Sequence, residues 1–204
     1  LGVGAKLLFK PKKAGLETRT SNIPISISYT LNNQFIFWSE YNIFFPQERW
    51  LLKGNLIYSK YPVSYFGLGS NTLQSDALEI SFDQVLVEPL LLKKVKNNWF
   101  AGGGIRYNQT FNPGIEDSEE GIAHPRLVDS LSATSLGLEL AVTLDSRDNI
   151  LNALSVNFLE FTHGVYDEAL GSTHQFMLSR VDYRKYFRLY PNRLDVIALQ
   201  LYAR

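Results

Sequence analysis

The chain has 204 residues, with 20 Lys and Arg against 20 Asp and Glu, and no cysteine. The balanced charge argues against a nucleic-acid-binding surface, which needs a basic excess, and the lack of cysteine excludes disulfides, thiolate metal ligands and a cysteine nucleophile. Although 45% of the residues are hydrophobic and 13% are aromatic, no stretch approaches the roughly 20 consecutive apolar residues of a membrane-spanning helix.

Apolar and polar residues alternate along much of the chain. Residues 22–31 show this clearly, since Ile23, Ile25 and Ile27 alternate with Ser26 and Ser28. Successive side chains of a β-strand point to opposite faces, so the segment predicts a strand with one apolar and one polar side. Ten segments fit this period, and in chain order they are 2–9, 22–31, 34–45, 50–61, 77–93, 99–111, 132–144, 155–165, 173–189 and 194–204.

The length of the predicted strands favours a membrane protein. Most of them have about 9–13 residues, whereas strands of soluble proteins usually have about 5–6, and about 9–11 residues cross a bilayer at the tilt found in membrane barrels. Aromatic residues, which concentrate at membrane interfaces, lie near many strand ends: Phe44, Phe45, Trp50, Tyr58, Tyr61, Trp99, Tyr107, Tyr186, Phe187 and Tyr190. We therefore expect an all-β, transmembrane, antiparallel up-and-down β-barrel. The alternative is a soluble β-sandwich or lipocalin-like barrel, in which the apolar faces would point inward.

The connections between the predicted strands alternate in kind. The short or turn-like set is Pro46–Arg49, Lys96–Asn98, Ser146–Leu154 and Pro191–Arg193, and the other set is Asn32–Asn33, 62–76, 114–130 and 166–172. Outer-membrane barrels have short periplasmic turns and longer external loops, so we assign the first set to the periplasm. The Lys10–Ser21 connection is long for a periplasmic turn and has no explanation in the sequence. A phase change near Asp83–Val85 predicts a β-bulge.

Charged residues recur on one side of the segment 173–189, where Arg180, Asp182 and Arg184 all have even numbers, and so the same parity. Facing lipid, each would cost about 2–4 kcal/mol at mid-depth, so we expect them to line the lumen and to pair there. The predicted lumen network comprises Glu139, Glu160, Arg180, Asp182, Arg184 and Arg204. Lys185 has the opposite parity, and we expect it to extend its ammonium group to the periplasmic edge.

A five-residue motif follows the segment 132–144: Asp145-Ser146-Arg147-Asp148-Asn149. Asp145 and Asn149 can bond to local backbone and Arg147 can bridge to a carboxylate, as in many turns. The order of this motif, of Leu170-Gly171-Ser172 and of the segment 181–187 (VDYRKYF) resembles the bacterial surface antigen barrel of the outer-membrane assembly-factor superfamily (BamA/TamA-like). The segment 65–71 (YFGLGSN) resembles a loop of the same family.

The resemblance implies a function as well as a fold. Residues 1–204 would be one partial domain, roughly strands two to eleven of a barrel of about sixteen strands, continuing beyond both ends. The protein would be an integral protein of the Gram-negative outer membrane, with no cofactor and no enzymatic activity, that assists protein insertion or translocation. Its partners would be lipid, lipopolysaccharide, client outer-membrane proteins and periplasmic or lipoprotein partners, and not nucleic acid. The segment Ile150–Leu154 lacks the P-x-x-G that usually follows the turn in this family, and the family's lid motif and periplasmic repeats would lie outside this sequence.

Three other kinds of chemistry have weaker support. A passive pore would share the same barrel. A hydrolase at the barrel rim would use a His–Asp pair, for which the candidates are His124, His163, His174, Asp167 and Glu168. A set of external acidic residues could bind Ca²⁺, although a solvated loop explains them better, and we predict no metal site: Glu116, Asp117, Glu119, Glu120 and Asp129.

Overall fold

The computed structural model describes residues 1–15, 17–66, 78–116, 132–147, 157–190 and 195–204, and its regular structure is almost entirely β. Each strand pairs antiparallel with the next in the chain, so the ten described strands form one up-and-down sheet. The strands are β1 (Gly2–Phe9), β2 (Ser21–Tyr29), β3 (Phe35–Phe44), β4 (Trp50–Tyr65), β5 (Leu78–Lys96), β6 (Trp99–Glu116), β7 (Ala133–Asp145), β8 (Asn157–Tyr166), β9 (Phe176–Arg188) and β10 (Val196–Ala203). The sheet is not closed, and β1 and β10 are its edges. In the described part of the chain no helix is both long and apolar enough to cross a lipid bilayer.

All ten predicted strands are confirmed, but three of them are longer than expected. β4, β5 and β6 have 16, 19 and 18 residues. The β4–β5 pairing continues through Val63↔Ile80 to Tyr65↔Leu78, so the first residues of the predicted loops 62–76 and 114–130 are strand instead. A register shift between Ser81 and Asp83 confirms the predicted bulge, slightly earlier than expected.

The two faces of the sheet differ as the alternation predicted. In β7, Leu138 and Leu140 are 58% and 70% exposed, whereas Glu139 between them is 2% exposed. Ile25 and Ile27 of β2 are exposed in the same way. We call the side that carries these residues the apolar face and the opposite side the polar face. The apolar face does not pack against a second sheet within the described residues, as a β-sandwich would require.

The sheet is strongly curved, with the polar face on the concave side. Neighbouring strands lie about 4.8 Å apart, so β4 and β8 would be about 19 Å apart in a flat sheet. The Lys53 ammonium of β4 nevertheless lies 2.5 Å from the Glu160 carboxylate of β8. The curvature therefore brings together side chains that are four strands apart.

Two glycines permit a close approach of the neighbouring backbones to Glu88 and Pro89 in the middle of β5. A Cβ atom on Gly54 of β4 would lie 1.9 Å from the Glu88 carbonyl oxygen, and one on Gly104 of β6 would lie 1.8 Å from the Pro89 carbonyl oxygen. The β5–β6 ladder also has no residue pairs at Glu88 and Pro89. Glycine in a strand permits this close approach of a neighbouring backbone, and glycine kinks are a known source of sheet curvature.

We call the end of the sheet that carries the connections after β1, β3, β5, β7 and β9 the turn end, and the opposite end the loop end. On the polar face near the turn end lies a small buried cluster: Phe44, Leu51, Leu90, Leu92, Phe100 and Ala141. Phe44 was expected among the interfacial aromatics, and this placement corrects that prediction. Tyr186 likewise shares the parity of Arg184 on the polar face, whereas Trp50, Trp99 and Phe187 are exposed.

Candidate functional site

A charged network occupies the middle of the polar face, and Arg180 of β9 is its centre. Its guanidinium hydrogen-bonds Glu139 of β7 at 2.8 Å, Glu88 of β5, and the Thr162 hydroxyl of β8 at 3.0 Å. Both carboxylates are almost fully buried. One arginine thus connects four strands, two of which are not next to its own.

Each carboxylate has a second partner. Glu88 accepts from the Asn55 side-chain amide at 3.3 Å and lies 3.7 Å from Nε of Arg106. Glu139 accepts from the Tyr166 hydroxyl at 2.8 Å. The network therefore replaces the hydrogen bonds to water that these carboxylates lose when they are buried.

Tyr166 is held in place by its neighbours on the polar face. Its ring stacks on Phe176 at 4.3 Å between centroids, with an interplanar angle of 5°. The same ring lies where a Cβ on Gly137 would be, since that atom would approach it to 2.6 Å. The glycine of β7 makes room for the ring, and the ring positions its hydroxyl on Glu139.

A second group of charges lies nearer the turn end. Lys53 pairs with Glu160 at 2.5 Å, and the Thr143 hydroxyl donates to the same carboxylate at 2.8 Å. Arg184 pairs with Asp182 of its own strand at 2.5 Å. The Lys53–Glu160 and Arg184–Asp182 pairs both line a cavity of about 260 Å³ on the polar face.

The ion-paired charges of these two groups balance. Among the described residues they are four carboxylates and four cations: Glu88, Glu139, Glu160, Asp182, Lys53, Arg106, Arg180 and Arg184. Because the opposite charges are equal in number and each cation lies within salt-bridge distance of a carboxylate, the network that they form together is neutral. The arrangement holds strands together across the curved face.

The β1–β2 connection, which the sequence left unexplained, folds back onto the polar face at the turn end. Arg19 donates to both oxygens of Glu48, at 2.8 and 3.2 Å, and its other nitrogen lies 3.3 Å from the Asp145 carboxylate. The guanidinium also lies 4.4 Å from the centre of the Phe44 ring, and so covers the apolar cluster. We call the set Arg19, Glu48, Asp145 and Arg147 the turn-end clasp.

The Asp145-Ser146-Arg147 part of the motif completes this clasp. Arg147 makes two 2.8 Å hydrogen bonds to the Asp145 carboxylate and lies 4.5 Å from the centre of the Phe158 ring. The Asp145 carboxylate therefore forms ion pairs with two arginines that are 128 residues apart in sequence. Asp148 and Asn149 lie outside the described residues.

The clasp shifts the proton affinity of its members. Burial by itself would raise the pKa of the Glu48 carboxyl, but the hydrogen bonds and charge of Arg19, together with Lys94, outweigh it and hold that pKa below its ordinary value of 4.5. Burial by itself would lower the pKa of Arg147, but the hydrogen bonds to Asp145 outweigh it and raise that pKa. Both side chains therefore remain charged and paired at neutral pH.

The structure brings five of the six predicted lumen residues to the polar face: Glu139, Glu160, Arg180, Asp182 and Arg184. Arg204 follows β10, is exposed, and takes part in none of the described polar contacts. Lys185 lies on the apolar face near the turn end, as its parity predicted, with its ammonium 5.6 Å from the Phe187 ring.

Sequence reasoning missed five members of the two sites: Arg19, Glu48, Lys53, Glu88 and Arg106. Parity does place Glu88 on the same side as Glu139, but the neighbouring Leu90 and Leu92 on that side conceal the polar pattern of β5. Arg19 lies in a connection without periodicity, so no sequence signal identified it.

Among the described candidates for hydrolysis, neither His163 nor His174 is paired with Asp167 or Glu168. His163 lies on the apolar face, where its Nδ1 is 2.9 Å from the Ser179 hydroxyl. The Asp167 carboxylate instead accepts from the backbone N–H of Ala169 at the start of the short 3₁₀ turn Glu168–Leu170. His124 is not among the described residues.

No group of three or more His, Asp or Glu residues in the described ranges is placed to hold a metal ion. Of the acidic residues considered for Ca²⁺, Asp117, Glu119, Glu120 and Asp129 lie outside the described residues, as does the side chain of Glu116.

Comparisons with protein-family models, with curated proteins and with solved structures find no match for this chain.

Proposed function

We propose that the sheet is the wall of an outer-membrane β-barrel of the assembly-factor type, closed by further strands to a total of about sixteen. The observation that carries the proposal is the contrast between the two faces. Leu138 and Leu140 are exposed on one side of β7, and Glu139 is buried among charges on the other. A soluble protein rarely leaves so large an apolar surface uncovered, whereas acyl chains would cover it in a bilayer.

The neutral network favours an assembly factor over a passive pore. A conducting pore needs a polar, water-filled lumen, but here Arg180 is occupied by Glu88 and Glu139, and Lys53 is occupied by Glu160. Such cross-links hold the strands of the wall in fixed positions. The proposed barrel therefore has a rigid wall along these strands.

In the proposed mechanism, this wall remains fixed while the barrel opens elsewhere. The first and last strands of the complete barrel would pair weakly and separate at their seam. The free edge would then accept a strand of a client protein by β-augmentation. The clamp from β9 to β5 and β7 would confine the movement to the seam.

The membrane placement is tested by replacing Leu140 with arginine in the full-length protein reconstituted in phospholipid vesicles. Arg at a lipid-facing mid-depth position costs about 2–4 kcal/mol in the free energy of unfolding. The matched control is Leu31→Arg, since Leu31 is fully exposed in the turn after β2 and the change should be neutral within about 0.5 kcal/mol. If Leu140→Arg is as neutral as the control, the apolar face does not contact lipid and the proposal fails.

The assembly function is tested by depleting the protein in its source bacterium. The folded, heat-modifiable forms of other outer-membrane barrels should decrease, and wild-type protein should restore them. Unchanged levels after depletion would refute an assembly role. A steady, large single-channel conductance of the purified protein would support the passive pore instead.

A further inference from the structure

The first three connections of the turn end are strongly basic. The segments 10–20, 45–50 and 93–98 together contain eight Lys and Arg residues and two Glu residues. One of the two, Glu48, already pairs with Arg19 and Lys94. The positive charge of these connections therefore exceeds what their own carboxylates can neutralise.

Part of this charge is concentrated on the outside of the sheet, in a groove between the β3–β4 and β5–β6 turns. The groove has a volume of about 550 Å³, and Arg49, Lys93 and Lys96 contribute to its lining together with Trp50. No carboxylate lines it, and among the described residues none lies within salt-bridge distance of these three cations. The Lys93 ammonium is 5.9 Å from the centre of the Trp50 ring, so the cation and the aromatic ring lie side by side on the surface.

An exposed apolar strip adjoins the same groove. Leu91 and Val95 of β5 are on the apolar face and are exposed, as are Trp50 and Trp99 at the ends of the neighbouring strands. A second groove of about 460 Å³ lies beside the first and adds Lys13 to its basic lining. Cationic groups above an apolar strip match a ligand that has an anionic head and hydrocarbon chains.

We propose that Arg49, Lys93, Lys96 and Trp50 form a binding site for the phosphate headgroup of an anionic phospholipid, such as phosphatidylglycerol. The site rests on the membrane placement proposed above, and it would lie in the inner leaflet if the turn end is periplasmic. The guanidinium and ammonium groups would donate to the phosphate oxygens. The indole of Trp50 would lie at the headgroup level, as interfacial tryptophans do.

Trp50 provides a local reporter for the test. Trp38→Phe and Trp99→Phe leave it as the sole tryptophan of residues 1–204, which contain three, and any tryptophan elsewhere in the full-length protein is replaced by phenylalanine as well. The full-length protein is reconstituted in phosphatidylcholine vesicles that contain increasing fractions of dibrominated phosphatidylglycerol or dibrominated phosphatidylcholine with identical chains. We expect a relative binding constant of at least about fivefold in favour of phosphatidylglycerol, because a single basic group near the surface already favours an anionic lipid by roughly that factor. We expect salt to reduce it.

Two variants separate the site from general surface charge. Arg49→Gln combined with Lys93→Gln and Lys96→Gln should bring the relative binding constant to about one. Lys60→Gln, on β4 at the loop end, is the matched control and should leave it unchanged. Equal quenching by both lipids in the parent protein would overturn the lipid site while leaving the membrane placement intact. If neither lipid quenches Trp50, the membrane placement itself fails.

Discussion

Replacing Arg180 by methionine tests whether the central network is a structural clamp. Methionine retains most of the aliphatic length of arginine but removes the guanidinium. The substitution therefore deletes the hydrogen bonds to Glu88 and Glu139 without opening a large cavity. It also removes the bond to the Thr162 hydroxyl.

The expected loss in the free energy of unfolding is about 3–5 kcal/mol, because breaking a buried ion pair leaves the other charge desolvated and uncompensated. The Glu139 side chain is 0% exposed and that of Glu88 is 4% exposed. Glu88 would still have Arg106 at 3.7 Å, whereas the remaining described partner of Glu139 is the Tyr166 hydroxyl. Most of the loss should therefore come from Glu139.

The assay is equilibrium unfolding by guanidinium of the reconstituted full-length protein, followed by tryptophan fluorescence. Adding Glu139→Gln to Arg180→Met should recover about 1–3 kcal/mol, because the uncompensated charge is then removed. Arg204→Met is the control, and it should be neutral within about 0.5 kcal/mol, since Arg204 is exposed. A loss below about 1 kcal/mol for Arg180→Met, or a further loss on adding Glu139→Gln, would refute the clamp.

The remaining predictions concern the turn-end clasp and the glycine beneath Tyr166. Because the pKa of Glu48 is lower in the folded protein than its ordinary value of 4.5, its pairing with Arg19 stabilises the fold above about pH 4.5, and this contribution is lost as the pH falls through the folded pKa. The difference in unfolding free energy between the wild type and Glu48→Gln should accordingly be largest near neutral pH and shrink in acid, and a difference that does not vary with pH would contradict this. Gly137→Ala should cost about 1–3 kcal/mol, because its Cβ would displace the Tyr166 ring. Gly114→Ala, where the nearest atom would be 3.4 Å away, should change stability much less, and equal effects of the two substitutions would show that the ring is not held tightly.

Parity in the sequence predicted the strands and their faces well because alternation is a local property of an extended backbone. In β7, Leu138, Glu139 and Leu140 lie on the predicted sides, and the predicted bulge in β5 lies within a few residues of the observed one. The prediction that Phe44 is interfacial was wrong, because it rested on a position near a strand end, where an aromatic residue can face either side. Loop lengths were overestimated after β4 and β6, because polar residues there still pair as strand.

Ion-pair partners were not predictable in the same way. Glu88 lies 92 residues from Arg180, and Lys53 lies 107 residues from Glu160. These pairs exist because the sheet curves until side chains of strands four apart meet, and the close backbone approach at Gly54 and Gly104 is likewise set by the packing of strands.

The sequence by itself thus determined ten antiparallel strands with one apolar and one polar side, since adjacent strands in a chain of this pattern pair in order. Only the tertiary structure decided which charges meet across the polar face and that the β1–β2 connection folds back over it. The contacts of Arg19 with Glu48 and Asp145 are the clearest example. They depend on the path of a connection that carries no periodicity, and on the distance between strands, neither of which a local pattern encodes.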